Sequence, residues 1–99
     1  MKLSLEELKK TADQELQRQG YDLSKMSAIY DENNSDWYIP MLLKGIERMP
    51  DLRVKIAGHD YIIVLYKQKP RKGKMIVGGD GYVFVDRNTG EILLFLEGK

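Results

Sequence analysis

At 99 residues, with 42% hydrophobic and 31% charged side chains, the sequence has the length and mix of one folded domain with one core, which argues against disorder. A net charge of +1 gives no global pull toward nucleic acid or an anionic membrane. The absence of cysteine excludes disulfides, thiol nucleophiles and cysteine metal sites, and fits a reducing compartment.

The first helix is announced by Ser4 and Glu7, spaced as a capping box, with Leu3 and Leu8 placed as a hydrophobic staple. Leu5, Leu8, Ala12 and Leu16 share one face, Glu6 and Lys10 are placed for an i,i+4 pair on another, and Gly20 supplies the stop. Such a helix has one stripe to bury, as expected of a helix lying across a sheet. Its acidic first turns lack the apolar core of a signal peptide. No later run approaches the ~20 apolar residues of a membrane span, so the expectation is a cytoplasmic protein without a membrane partner.

Within residues 21–31, Met26, Ala28 and Tyr30 alternate with Lys25, Ser27 and Asp31, the pattern of a half-buried edge strand. A polar loop follows at 32–36. Trp37, Tyr38 and Ile39 then lead into Pro40, which suits a first helical turn, and Leu42, Ile46 and Met49 are spaced i, i+4, i+7. A short helix is predicted over 40–48, ended by Pro50. Trp37 has two readings: a core anchor with its indole N–H bonded to a carbonyl, or an aromatic that meets a partner.

Leu52, Val54 and Ile56 read either as a strand or as a last helical turn, and Gly58, His59 and Asp60 as a turn. The unbroken apolar run 61–66 is the predicted central strand. Five basic residues (Lys67, Lys69, Arg71, Lys72 and Lys74) follow around Pro70 and Gly73, and 75–77 are placed to extend a strand. The last quarter is a hairpin. Tyr82 and Phe84 alternate with Val83 and Val85, and Ile92, Leu94 and Leu96 with Leu93 and Phe95, so both strands are apolar on both faces. Between them Asp86 is placed to cap backbone N–H groups, and Gly90 to take a positive φ at a bulge after a type I turn.

Chemistry is sparse. The single histidine, His59, cannot build a zinc site alone, and beside Asp60 in a turn it points to backbone capping rather than an acid–base pair. Gly78, Gly79 and Gly81 precede a strand, whereas a phosphate cradle leads into a helix N-terminus. No catalytic set and no cofactor motif is visible. With Tyr66 and Tyr82 nearby, the basic stretch 67–74 has the parts to track phosphates and stack a base. The net charge argues against nucleic acid and favours a solvated loop or a patch meeting an acidic protein partner.

The stretch from Gly78 through Asp86, Arg87, Asn88, Thr89 and Gly90 to Ile92 resembles the C-terminal hairpin of small bacterial immunity proteins found beside polymorphic toxins, of NTF2-like or cystatin-like type. The helix ending in Gly20, Tyr21 and Asp22, and the strand at 61–66 with its basic, proline-containing exit, extend the likeness in layout. PepSY-type inhibitory modules share the Val-Asp-x-x-Thr-Gly element. The resemblance implies a non-enzymatic protein that binds and neutralises a cognate toxin.

The expectation is therefore one α+β domain over 1–99: an N-terminal helix packed on a mainly antiparallel sheet ending in a hairpin meander, cystatin-like in arrangement. The opposite sheet face must be covered by the second helix, a curled sheet or a second copy, which leaves a homodimer open. The working surface is expected around Trp37, Tyr38, Lys69, Arg71 and Lys72. The alternative is a ligand-binding or enzymatic domain with a sheet-lined cavity using Tyr30, Tyr66 or His59.

Overall fold

Helix α1 (Leu5–Arg18) begins where the capping box places it, with Ser4 Oγ accepting from the Glu7 N–H at 3.2 Å and the Glu7 carboxylate accepting from the Ser4 N–H at 3.4 Å. These coordinates are a computed structural model that describes residues 2–69 and 80–98. Leu8, Ala12 and Leu16 are buried along one face. Glu15 is buried beside them, its two carboxylate oxygens taken up by Arg18 and Gln19. At i,i+4 spacing the ion pair on this helix is Lys9–Asp13 at 2.7 Å. Gly20, with φ 96°, turns the chain out of the helix.

A single 3-10 turn (Leu23–Lys25) leads into β1 (Met26–Ile29), followed by α2 (Ile39–Glu47), α3 (Pro50–Ile56), β2 (Tyr61–Gln68), β3 (Gly81–Asp86) and β4 (Ile92–Glu97). The four strands form one open antiparallel sheet in the order β1-β2-β3-β4. The alternating strand is thus an edge, and the run apolar on both faces lies at the centre. Strand periodicity then sorts the core into two layers. Ile62, Val64, Tyr66, Val83 and Val85 pack beneath α1 with Leu8, Ala12 and Leu16. Ile63, Leu65, Tyr82, Phe84 and Leu94 face the other way and meet Ile39, Ile46 and Ile56. Each fully buried Ile, Leu or Phe stabilises this arrangement by about 1.5–3 kcal/mol. Helices thus cover both faces of the sheet, and the face left open by the sequence reading calls for no second copy.

The ambiguous Leu52, Val54 and Ile56 fold as helix α3. Pro50 takes a first-turn position and Asp51 an acidic first-turn position. Leu52 and Ile56, four apart, then face the core, while Val54 is 66% exposed. The apparent alternation came from two residues of one helical face with a third on the opposite face.

The β3–β4 turn follows its sequence. The Asp86 carboxylate accepts from the Asn88 N–H at 2.7 Å and the Thr89 N–H at 3.0 Å, and the Gly90 N–H donates to the Asp86 carbonyl at 2.9 Å. Gly90 has φ 76°. A register shift follows, because Val85 pairs with Ile92 while Phe84 pairs with Leu94. The expected strand extension at 75–77 lies outside the described residues.

Candidate functional site

The β1–α2 connection sets the surface. Asn34, at φ 50° in the left-handed region that asparagine tolerates, stands in for a neighbouring strand beside β2. Its side chain accepts from the Ile63 N–H at 2.9 Å and donates to the Tyr61 carbonyl at 3.0 Å. Asp36 then accepts from the Tyr38 N–H at 3.0 Å, just ahead of α2. With the loop so fastened, Tyr38 turns inward and stacks on Tyr82, ring centroids 5.5 Å apart. Trp37 is left outside.

Trp37 is 70% exposed, so its reading as a core anchor is wrong. The inward place at the start of α2 is taken by Tyr38, against which Trp37 packs edge-on at 5.7 Å. Lys67 Nζ lies 5.6 Å from the Trp37 ring centroid, a cation–π contact. Burial, a hydrogen bond with Tyr38 and the Tyr38 and Asp80 charges raise the Tyr82 pKa well above the usual phenol value. Tyr82 therefore stays neutral and serves as a wall.

Beyond Tyr38 an open groove of about 410 Å³ runs between α2, α3 and the end of β4, lined by Tyr38, Met41, Leu42, Gly45, Met49 and Leu96 among others. Met41 and Met49 are 61% and 53% exposed, and with Trp37 and Val54 they are the large hydrophobic side chains exposed among the described residues. All four fall within 37–54. Methionine, flexible and polarizable, adapts to varied apolar contacts. Gly45 is part of this lining, and a Cβ there would have no atom within 4 Å.

Charge concentrates on this part of the chain. Residues 37–74 hold nine Lys and Arg against three Asp and Glu, while the rest holds seven against twelve. Lys44, Arg48, Arg53 and Lys55 are exposed, and none has an ion-pair partner among the described residues. Of the expected site residues, Trp37 and Tyr38 come together with Lys67. Lys69 is exposed just past β2, its N–H bonded to the Lys25 carbonyl at 2.8 Å. Arg71 and Lys72 lie outside the described residues. The sequence reading did not single out Met41 or Gly45 as site residues, and it used Met49 only for its helical spacing with Leu42 and Ile46. The charge count over 37–74 was the available signal.

No protein-family model, curated protein or solved structure matches this chain.

The residues of the cavity alternative divide between two places. Tyr30 and Tyr66 line a pocket of about 310 Å³ with Lys9 and Asp13. There the Tyr66 hydroxyl donates to Asp13 at 2.6 Å, and Lys9 occupies the other carboxylate oxygen at 2.7 Å. Burial and the Asp13 hydrogen bond push the Tyr66 pKa far up, so its proton stays in place. His59 precedes β2 at the opposite end of the strand. It pairs with Asp86, Nδ1 to Oδ2 at 2.8 Å, and not with its neighbour Asp60. Asp60 instead meets Lys2 at 3.2 Å and Arg87 at 3.1 Å. The His59 hydrogen bond and the turn N–H groups lower the Asp86 pKa, so this carboxylate is committed to holding the hairpin. Among the described residues no group of three or more His, Cys, Asp or Glu could hold a metal ion, and no helix is long and apolar enough to cross a membrane.

Proposed function

We propose that this chain is a non-catalytic protein-binding module that neutralises a cognate bacterial toxin, with the groove between α2, α3 and β4 as its contact surface. The observation that carries the reading is that Met41 and Met49, both more than half exposed, line an apolar groove, with the exposed Trp37 packed edge-on against Tyr38 of the same lining. Exposed large apolar side chains are unfavourable in water unless a partner covers them, and aromatic and methionine side chains are enriched where proteins meet. The likeness of the 78–92 hairpin to immunity proteins supplies the toxin as the kind of partner. In this reading the hairpin is scaffold, and the polar pairs His59–Asp86 and Asp13–Tyr66 hold the fold.

The test is co-purification of the tagged chain from its native cell, followed by co-expression with the toxin-like product of a neighbouring gene. The expected result is a stoichiometric complex and restored growth. Trp37→Ala and Met41→Asp should abolish both without lowering the urea midpoint. A chain that draws down no protein and protects against no neighbouring gene product would end the proposal.

A further inference from the structure

Resting on that reading, we infer that the groove takes an acidic, amphipathic segment of the partner: apolar side chains seated between Met41, Met49 and Leu96, with carboxylates reaching the cations around them. The geometry points to this chemistry in two ways. On α2, Met41, Lys44, Gly45 and Arg48 recur at i, i+3, i+4 and i+7, and all four are exposed, so apolar contact and positive charge share one helical face. Gly45 leaves a notch in that face. Second, Lys44, Arg48, Arg53 and Lys55 have no ion-pair partner among the described residues, although elsewhere Asp13, Glu15, Asp60 and Asp86 are all paired with Lys, Arg or His. Lys44 and Arg48, flanking the apolar groove on α2, complement a carboxylate-rich ligand with apolar anchors. The acids of the same region are Glu47, Asp51, Asp80 and Glu97, of which Glu97 lines the groove and Asp80 lies against its Gly98, both at the β4 end away from Lys44 and Arg48 on α2.

The same observations weigh against other occupants. A second copy docked face to face across a two-fold axis would set these cations against themselves. A nucleic acid would reach the same cations with its phosphates but would leave the apolar lining of Met41, Leu42, Met49 and Leu96 without an apolar partner.

The experiment is an NMR titration of the full chain, reading the methionine methyl signals, with two synthetic helical peptides and a single-stranded oligothymidine. The peptides share leucines at i, i+3, i+4 and i+7. One carries Glu at every other position and its twin carries Lys. The Glu peptide should move the Met41 and Met49 methyls and weaken as salt rises, and the Lys peptide should bind at least about tenfold more weakly. In the triple variant Lys44→Glu, Arg48→Glu, Lys55→Glu the preference should invert. These are exposed positions, and an unchanged urea midpoint verifies the fold. Equal binding of the two peptides overturns the inference, as does a Glu peptide that leaves both methyls unmoved, or methyl shifts produced by the oligothymidine alone. The two proposals fail separately. If the triple variant still captures the native partner, the acidic-segment inference falls and the protein-binding function stands. If there is no native partner, the function falls while the peptide preference still decides the chemistry of the groove.

Discussion

The Tyr66 hydroxyl donates to the Asp13 carboxylate at 2.6 Å and ties the central strand to the first helix across 53 residues of sequence. Tyr66 is only 1% exposed, so its hydroxyl has little water to fall back on. Tyr66→Phe removes both the donor and the need for an acceptor and should cost about 1 kcal/mol. Asp13→Ala strands a buried hydroxyl and frees Lys9, and should cost more, about 1–3 kcal/mol. Urea denaturation of the two variants checks the order; a Phe variant less stable than the Ala variant would contradict it.

The same contact sets an alkaline limit. The folded-state Tyr66 pKa lies above the usual phenol value of about 10, because burial and the Asp13 hydrogen bond disfavour the phenolate. A raised pKa means that the folded state holds this proton more tightly. Its stabilising contribution is complete below about pH 10 and is lost as pH rises from there toward the folded-state pKa. Unfolding free energy should therefore fall above about pH 10, and less steeply in Tyr66→Phe. Tyr82, raised by burial, by Tyr38 and by Asp80, contributes in the same direction.

At the acid end the sign reverses. His59 and the Asn88 and Thr89 N–H groups lower the folded-state pKa of Asp86, so its contribution is present above the ordinary carboxylate pKa of about 4 and lost as pH falls below it. Asp86→Asn keeps an acceptor for the turn but removes the charge. It should be less stable near neutrality and should show a shallower decline below about pH 4 than the parent, measured by urea midpoints across an acid series. A parallel decline in both proteins would remove Asp86 from the account.

Gly90 tests the hairpin. Its φ of 76° disfavours any side chain, and a Cβ would come to 3.0 Å from Leu3 Cδ1. Gly90→Val should cost about 1–2 kcal/mol from the backbone alone, with the Leu3 contact adding to it. A urea midpoint matching the parent would show that the turn relaxes without cost.

What was legible in the sequence is what neighbouring residues decide. Ser4 and Glu7 are three apart, and the parts of the Asp86–Gly90 turn are adjacent, so cap and turn could be read directly. Asp86 and His59 are 27 residues apart, and only the β2–β3 register brings them together, so the sequence showed His59 only as a turn residue beside Asp60. Trp37 misled for a related reason. An indole is usually buried, but a tyrosine one residue later took the inward position, and nothing in the local pattern says which of two adjacent aromatics will win. Leu52, Val54 and Ile56 fit both periodicities over so short a span, and Pro50 with Asp51 carried the decision toward helix. The groove was least legible of all, because its lining joins α2 to β4 across the whole second half of the chain, and its most informative member has no side chain.

That member is Gly45, and it separates function from stability. Within a helix, glycine is less favourable than alanine by about 0.5–1 kcal/mol, and here a Cβ would meet nothing within 4 Å. Gly45→Ala should therefore stabilise the chain by about that amount. Gly45→Leu should also fold, since helix propensity favours leucine over glycine and the added side chain points into open space. Yet leucine would fill the notch between Met41 and Met49. If the groove is the contact surface, the Leu variant loses partner binding by an order of magnitude or more while its urea midpoint stays at or above that of the parent. Binding measured on the purified complex decides between the readings. A Leu variant that binds as tightly as the parent would mean that the groove is left empty in the complex, and the contact surface would then have to be sought elsewhere, beginning with the exposed Trp37.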